Sequence, residues 1–311
     1  MVGVLLFNEI HMQYHIEPRQ SAPGDTIALT SLVRDIYNYD PDIKVSIGGI
    51  WATTVFGYDH RVVPYNANSK KIIINFMSGA KTSNKDHNSR YLYVPHEQFI
   101  AATGLHIPYG PCKPSIILNE SEKQNNSDKY AVVASGCKVD IPLKSWIHSR
   151  FQEVINRTKH LNWKQIGLVK DDRYPHHQIA IDGAENLLGK TTLRQVFQLI
   201  SKAKLVLSLI SLPMLVASAF DVPCVTIGGG LENPWYHSAE NVHYLHTIGK
   251  LDCCKDHGCW RQVPYPGHND SPFPENWICK LPMVEDGLGY GSCMSMISAD
   301  DVVNKIEKII N

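Results

Sequence analysis

The sequence has no excess of charge, no long apolar run and no internal repeat. Its 311 residues contain 30 Lys and Arg against 30 Asp and Glu, so the formal net charge is zero. A neutral chain lacks the broad positive field that drives non-specific binding to nucleic acids, which argues against a dedicated DNA-binding protein. The composition, with 43% hydrophobic and 19% charged residues, is that of a folded globular protein with room for two domains.

No segment has the features of an export signal or of a membrane span. The opening residues, MVGVLLFNE, form too short an apolar stretch before the first acidic side chain to be a secretory signal. The longest apolar run lies between Lys204 and Asp221, where serines and Pro213 interrupt it. It is shorter than the ~20 residues that a transmembrane helix needs. We therefore expect a cytoplasmic protein that does not span a membrane.

The eight cysteines are unevenly distributed. Five of them crowd into the C-terminal segment: Cys253, Cys254, Cys259, Cys279 and Cys293. In a chain without an export signal, a local cluster predicts metal ligands before disulfides. Four thiolates suit zinc or iron, although this spacing is not that of a standard zinc ribbon. We expect a structural ion on Cys254, Cys259, Cys279 and Cys293, with Cys253 as the alternative to Cys254 and with His257 and His268 as possible replacements.

Strand-like and helix-like segments alternate through both halves of the chain, which predicts parallel sheets covered by helices. The expected strands are Val2–Phe7, Ile43–Ile47, Lys71–Phe76, Tyr91–Val94, Tyr130–Ser135, Gln165–Val169, Leu205–Leu209 and Cys224–Ile227. The expected helices are Thr26–Tyr39, Leu143–Thr158, Thr192–Lys202, Pro213–Phe220 and a last helix capped by Ser298. A polar linker near Ser121–Lys129 divides the chain into predicted domains at 1–125 and 126–311. The second includes a cysteine segment at 253–293 and a C-terminal helix at 298–311, which could cross back to the first domain.

Two local motifs have competing interpretations. Gly183 to Thr191 ends in Gly-Lys-Thr, but five residues separate Gly183 from Gly189 where a phosphate-binding loop of the Walker type has four. Asp25 follows Pro23 and Gly24 at the opening of a helix, where a carboxylate often caps free backbone donors. The same aspartate could instead be a general base in the cleft between the domains, and the motif alone does not decide.

Several segments, in order along the chain, resemble glycosyltransferase family 9, the heptosyltransferase family. They are Gly24-Asp25-Thr26, Lys144-Ser145-Trp146, Gly189-Lys190-Thr191-Thr192-Leu193, Pro213-Met214-Leu215-Val216-Ala217-Ser218-Ala219, and Cys224 to Gly230 with Glu232. The resemblance implies a GT-B fold of two Rossmann-like domains. Where the family's Pro-Met helix usually opens with Asp and includes His, this chain has Ile210 or Ser211 and Leu215. The resemblance therefore leaves the donor sugar open.

The resemblance also implies roles for particular residues. Asp25 would be the general base of an inverting transfer, and Lys144, Thr191, Thr192 and Leu193 would hold the diphosphate of the donor. Gly229, Gly230 and Glu232 would belong to the donor-binding loop, with Glu232 holding a hydroxyl of the ribose or the sugar. The segment Cys-Cys-x4-Cys-Trp, followed by two further cysteines, resembles the metal finger of iron-containing autotransporter heptosyltransferases. Such an iron or zinc ion would be structural, because four protein thiolates leave no open coordination position.

The resulting hypothesis is an inverting glycosyltransferase that uses an ADP- or UDP-linked sugar. The expected acceptor is a hydroxyl on a protein or a bacterial glycan, and a hydroxylated base of viral DNA is the alternative. A non-catalytic, metal-stabilised protein that binds nucleotide sugars is a rival of another class, and an iron–sulfur redox protein is a third.

Overall fold

The computed structural model describes residues 12–76, 90–124, 129–138, 140–169, 176–237, 239–267, 273–285 and 287–311, with the backbone alone at 176–177. The predicted strand Val2–Phe7 and the candidate ligand His268 lie outside these residues.

The described part of the N-terminal half forms a parallel sheet with the strand order β2-β1-β3. The strands are β1 (Gln13–Pro18), β2 (Lys44–Ile47) and β3 (Lys70–Ile74). Strand β1, which the sequence analysis missed, is central: Tyr14 and Ile16 are buried while His15 and Glu17 between them are half-buried. Helices α1 (Pro23–Tyr39), α2 (Ala52–Phe56), α3 (Val94–Thr103) and α4 (Glu120–Lys123) complete this half.

The second half contains a six-stranded parallel sheet. In chain order its strands are β4 (Ala131–Ala134), β6 (Trp163–Gln165), β8 (Glu185–Asn186), β9 (Val206–Leu209), β10 (Cys224–Gly229) and β11 (Val242–His246), and a short antiparallel pair, β5 (Cys137–Lys138) with β7 (His176–His177), lies apart from it. The spatial order is β11-β10-β9-β4-β6-β8. This is the doubly wound order, in which strands are first added on one side of β4 and then, from β9, on its other side. In such sheets ligands bind beyond the carboxyl ends of the strands, at the point where the strand order reverses.

Helices and a hairpin cover this second sheet. They are α5 (His148–Arg157), α6 (Leu193–Ser201), α7 (Leu212–Ala219), α8 (Ser292–Ser295), α9 (Ala299–Ile310) and the hairpin β12 (Pro282–Glu285) with β13 (Leu288–Gly291). Ser298 caps α9 as expected, since its Oγ accepts a hydrogen bond from the Asp301 amide at 3.1 Å. Among the described residues, helix α9 packs on the second half, where Val302 and Ile306 lie in the core around the second sheet.

Three predicted elements were wrong in type or extent. The strand expected at Gln165–Val169 lies earlier in the chain, at Trp163–Gln165. Residues 91–93 form a 3₁₀ turn that leads into α3, and they are not a strand. Pro95 explains this, because proline fits the first turn of a helix and cannot donate to a sheet. The helix expected from Leu143 begins only at His148, since Pro142–Lys144 form a separate 3₁₀ turn and the indole of the buried Trp146 donates to the Ile297 carbonyl at 3.0 Å.

The two halves share a core and are tied by ion pairs. Helix α1 packs against α7, and buried side chains of both halves belong to one continuous cluster. Arg194, at the start of α6, pairs with Glu122 of the connecting segment, and Lys113 Nζ lies 2.5 Å from Asp221 Oδ2. Among the described residues, no helix has both the length and the apolarity to cross a bilayer.

Candidate active site

Asp25 lies at the third position of α1, but it does not cap the helix. The N-cap residue is Ala22, and no side-chain cap is formed. The carboxylate instead accepts a hydrogen bond from the Tyr91 hydroxyl, with 2.5 Å between Tyr91 Oη and Asp25 Oδ1. The interpretation of Asp25 as a helix cap was therefore wrong, and the carboxylate is directed into the contact between the two halves.

The electrostatic surroundings of Asp25 suit a base. Burial raises the pKa of this carboxyl above its ordinary value, while the Tyr91 hydrogen bond and the charges of Lys138 and Lys144 lower it in part. A raised pKa makes the carboxylate a stronger proton acceptor. Both lysines belong to the second half, so the electrostatics of Asp25 depend on residues across the cleft.

Lys144 lies beyond the carboxyl end of β4, in a 3₁₀ turn at Pro142–Lys144. Its Nζ is 2.7 Å from Glu232 Oε1, and its side chain is 24% exposed. Lys144 is therefore paired with a buried acid and is not a solvated surface charge. The turn is anchored by the neighbouring Trp146, which is fully buried.

Glu232 follows β10 and is the most strongly perturbed acid of the site. Burial raises its pKa, but the charges and hydrogen bonds of Lys144 and His237 outweigh burial and hold the pKa at about 2. Glu232 is therefore ionised at neutral pH and accepts a hydrogen bond from His237 Nε2. That bond leaves Nδ1 of His237 as the free nitrogen, and this atom is buried without a partner among the described residues.

Tyr91 joins the two sides of this arrangement. Its backbone amide donates to the Tyr236 carbonyl at 2.8 Å, and its ring centroid lies 5.6 Å from that of His237. Asp25, Tyr91, His237, Glu232 and Lys144 thus form a continuous chain of contacts across the cleft. The sequence analysis missed Tyr91 and His237. The aromatic run Trp235-Tyr236-His237, just after a strand that ends in glycines, was the signal available for the histidine.

The other predicted donor-binding residues take two different positions. Thr192 caps α6, and its hydroxyl accepts from the Gln195 amide, while Thr191 and Leu193 beside it are half-buried. Gly229 and Gly230 are buried against the cysteine segment. A Cβ on Gly229 would lie 2.3 Å from Met294 Sδ, and one on Gly230 would lie 2.7 Å from Cys254 Sγ. Donor binding by these residues stays a prediction.

The cysteine segment forms the wall behind the Glu232 loop. The Cys259 amide donates to the Gly230 carbonyl at 3.0 Å, and Gly258 packs so closely that a Cβ there would lie 2.7 Å from the Glu232 Cα. The conformation of this segment therefore helps to fix the position of Glu232.

Four cysteines of this segment line one small cavity of about 10 Å³: Cys253, Cys259, Cys279 and Cys293. Cys254 is buried beside Cys253 and does not line this cavity, and its thiol donates to the Thr247 carbonyl at 3.6 Å. Burial raises the pKa of Cys259 to about 12 and that of Cys293 to about 11, so both are thiols at neutral pH and would release protons on binding a metal. Within the described ranges, no three Cys, His, Asp or Glu side chains are arranged closely enough to hold an ion.

The family model described as Glycosyltransferase family 9 (heptosyltransferase) matches residues 66–243, which is more than half of the chain. The chain belongs to glycosyltransferase family 9. It is accordingly a glycosyltransferase. No curated protein matches its sequence.

Solved structures show the same fold as this family 9 glycosyltransferase at low sequence identity. The iron-containing dodecameric glycosyltransferase TibC of enterotoxigenic Escherichia coli is 16% identical, with a TM-score of 0.67 over 97% of this chain and 77% of TibC. A structure of TibC in complex with ADP-D-beta-D-heptose aligns with the same identity and TM-score. The E. coli ADP-heptose LPS heptosyltransferase II is 14% identical, with a TM-score of 0.57 over 96% of this chain and 98% of that protein. A family 9 glycosyltransferase of Veillonella parvula is also 14% identical, with a TM-score of 0.61 over 96% and 97% of the two chains.

Proposed function

We propose that this family 9 glycosyltransferase catalyses inverting transfer from an ADP- or UDP-linked sugar to a hydroxyl of a protein or a bacterial glycan. The observation that carries the proposal is the convergence of Asp25, Lys144 and Glu232 on one cleft. Lys144 and Glu232 lie beyond the carboxyl ends of β4 and β10, the edge at which doubly wound sheets bind ligands. Asp25 reaches the same place from the other half through Tyr91.

The proposed reaction assigns a separate role to each side of the cleft. Asp25 takes the proton of the acceptor hydroxyl as that oxygen attacks the anomeric carbon, and the bond from this carbon to the diphosphate breaks on the opposite face. Lys144 and the amides at the start of α6, next to Thr191 and Thr192, meet the charge that develops on the leaving diphosphate. Because Lys144 Nζ lies 2.7 Å from Glu232 Oε1, a diphosphate that binds Lys144 has to share or replace that contact.

His237 supports a substrate in the same place. Its Nε2 is committed to ionised Glu232, so the buried Nδ1 is the ring nitrogen left to form a hydrogen bond with a ligand hydroxyl. Buried nitrogens normally have a partner, and a ligand hydroxyl would supply one. Of the two donor nucleotides, ADP is favoured by the structural similarity to TibC, which has been solved with ADP-D-beta-D-heptose.

We further propose that a structural iron or zinc ion is held by Cys253, Cys259, Cys279 and Cys293. The four thiols line one cavity with room for about one ion, and Cys254 is turned toward the Thr247 carbonyl. Four sulfur ligands are the donor set that zinc and iron prefer. This assignment favours Cys253 over Cys254.

A donor screen tests the proposed function. Thermal unfolding of the protein is measured with ADP, UDP, ADP-heptose and UDP-glucose, and release of the nucleoside diphosphate is then followed without and with acceptors. We expect stabilisation by one nucleotide series and slow hydrolysis of its sugar conjugate. Stabilisation without any release, even with protein, glycan and hydroxymethylated DNA acceptors present, would favour a non-catalytic binding protein.

A further inference from the structure

The carboxylate of Asp25 is oriented by a single side chain. Tyr91 Oη donates to Oδ1 at 2.5 Å, and no second donor to this carboxylate is found in the part of the chain that the structure describes. A hydrogen bond to an ionised group is about twice as strong as one between neutral groups, so this contact dominates the orientation of the carboxylate. Oδ1 is occupied, and Oδ2 is the oxygen left to meet a substrate.

Tyr91 is itself fixed from both sides of the cleft. Its ring packs against Phe76 of the first half at 5.2 Å between centroids and against Tyr236 of the second half at 5.7 Å. Its amide donates to the Tyr236 carbonyl at 2.8 Å. Burial and the neighbouring Asp25 raise the pKa of Tyr91 well above its ordinary value, so the hydroxyl stays protonated and can only donate to the carboxylate.

We propose that Tyr91 is the positioning residue of the base: its hydroxyl holds Oδ1 of Asp25 so that Oδ2 faces the acceptor hydroxyl. This inference rests on the proposed role of Asp25 as the base. Tyr91 does not touch the reacting atoms and acts through Asp25 alone. A base that is displaced or rotated loses much of its effect, because proton transfer needs hydrogen-bond geometry at the reacting oxygen.

The test compares Tyr91→Phe with Tyr93→Phe in the full chain. Tyr93 is the matched control, since its hydroxyl donates to the Gly110 carbonyl at 3.2 Å, away from Asp25. The first readout needs no substrate: the pKa of Asp25 is measured by NMR on protein labelled with ¹³C-aspartate, and the resonance is assigned by its absence in Asp25→Asn. Because the Tyr91 hydrogen bond lowers this pKa, Tyr91→Phe should raise it, and Tyr93→Phe should leave it unchanged.

The second readout is kinetic. With the donor chosen by the screen, Tyr91→Phe should lower kcat about 10- to 100-fold, leave the donor KM unchanged and move the acid limb of the pH profile upward. The positioning role would be overturned if Tyr91→Phe left the pKa of Asp25 unchanged. It would also be overturned if Tyr91→Phe left kcat unchanged in an enzyme that uses Asp25 as its base. An active Asp25→Asn variant would instead overturn the role proposed for Asp25 as the base, whatever Tyr91→Phe does to the pKa, so the two failures are distinguishable.

Discussion

At the level of single residues, burial and neighbouring groups act in opposite directions on the pKa of Asp25. Burial disfavours its charge, whereas Tyr91, Lys138 and Lys144 favour it, and burial prevails. The sequence could identify this aspartate because a Gly-Asp pair at a helix start is a local motif. It could not show that Tyr91 holds the carboxylate, since the two residues are 66 positions apart and meet only through the fold.

We predict that Asp25→Asn separates activity from stability. Asn Oδ1 can still accept from Tyr91, so the fold should remain intact, while transfer should fall about 10²–10⁴-fold with the loss of the base. Because the folded pKa of Asp25 is raised, its ionisation destabilises the protein as the pH rises through that pKa. The melting temperature of Asp25→Asn should therefore match or exceed that of the wild type at pH 7, and any gain should shrink toward pH 4.

An active Asp25→Asn enzyme would refute the assignment of this residue as the base. Asp40 provides the control, since it lies at the exposed end of α1 and its change to Asn should leave transfer unchanged.

The pair of Lys144 and Glu232 gives a second prediction at this scale. Lys144→Met alone leaves the buried charge of Glu232 with one partner fewer, which should destabilise the fold by about 1–3 kcal/mol. The double variant Lys144→Met, Glu232→Gln removes both charges and should recover most of that stability. Both variants should lose donor affinity by roughly 10-fold or more, the equivalent of one charge-assisted contact.

Chemical denaturation and donor titration check this pair of variants. If the double variant binds the donor as tightly as the wild type, Lys144 is a structural residue only. The pH dependence has a definite sign: because the pKa of Glu232 is depressed to about 2, its contribution to stability is complete above its ordinary pKa and is lost as the pH falls toward 2.

At the scale of elements, apolar strands were the most predictable part of the molecule. Strands β4, β9 and β10 are buried along their whole length, and continuous apolar runs of this kind are typical of parallel sheets. Strand β1 escaped prediction because it alternates with His and Glu and ends in proline. Helix α5 was placed too early because local periodicity cannot show that Trp146 is held by Ile297, far along the chain.

The cysteine segment gives a prediction that distinguishes neighbouring residues. If the cavity thiols bind the ion, Cys253→Ser, Cys259→Ser and Cys279→Ser should each lower metal content and melting temperature together, because a structural metal contributes its binding energy to folding. Cys254→Ser is the matched control and should retain the metal. Elemental analysis measures the content, and visible absorption separates iron from colourless zinc.

Two outcomes would contradict this assignment. Loss of the metal in Cys254→Ser with retention in Cys253→Ser would restore the ligand set expected from the sequence. The second outcome is that neither the wild type nor any variant contains iron or zinc when purified. The thiols would then only pack the wall behind the Glu232 loop.

At the scale of the whole molecule, the site exists only where the two halves meet. The proposed base belongs to α1 and the lysine proposed to bind the diphosphate belongs to the turn after β4, so neither half holds the complete arrangement. The resemblance to family 9 implied that Asp25 and Lys144 would take roles on the two sides of one cleft. The contacts that hold the halves together, around Arg194 and Glu122, join positions 72 residues apart and gave no local signal.

The last prediction concerns the ion pair of Arg194 and Glu122, which we call the clamp. Arg194 Nε donates to Glu122 Oε1 at 2.8 Å and a second nitrogen donates to the Ile117 carbonyl at 3.0 Å, while the guanidinium lies 5.0 Å from the Tyr58 ring centroid. Both side chains of the ion pair are largely buried, at 16% and 13% exposure. A double-mutant cycle with Arg194→Met and Glu122→Gln should therefore give a coupling energy of about 1–3 kcal/mol at pH 7.

Burial raises the pKa of Glu122, but Arg194 outweighs burial and the net pKa is lowered. The coupling should accordingly be complete above the ordinary pKa of Glu122 and disappear as the pH falls through its lowered value.

The control for the clamp is the exposed pair of Arg157 and Asp300 in the second half. Its Asp300 side chain is 70% exposed, and the same cycle there should show no measurable coupling. The clamp lies outside the catalytic chain of contacts, so a loss of kcat in Arg194→Met would arise from the approach of the two halves and from the resulting placement of Tyr91 against Asp25. If Arg194→Met destabilises the protein but retains full kcat at a temperature where it is folded, the two halves reach their catalytic arrangement without the clamp, and the donor itself must bring them together.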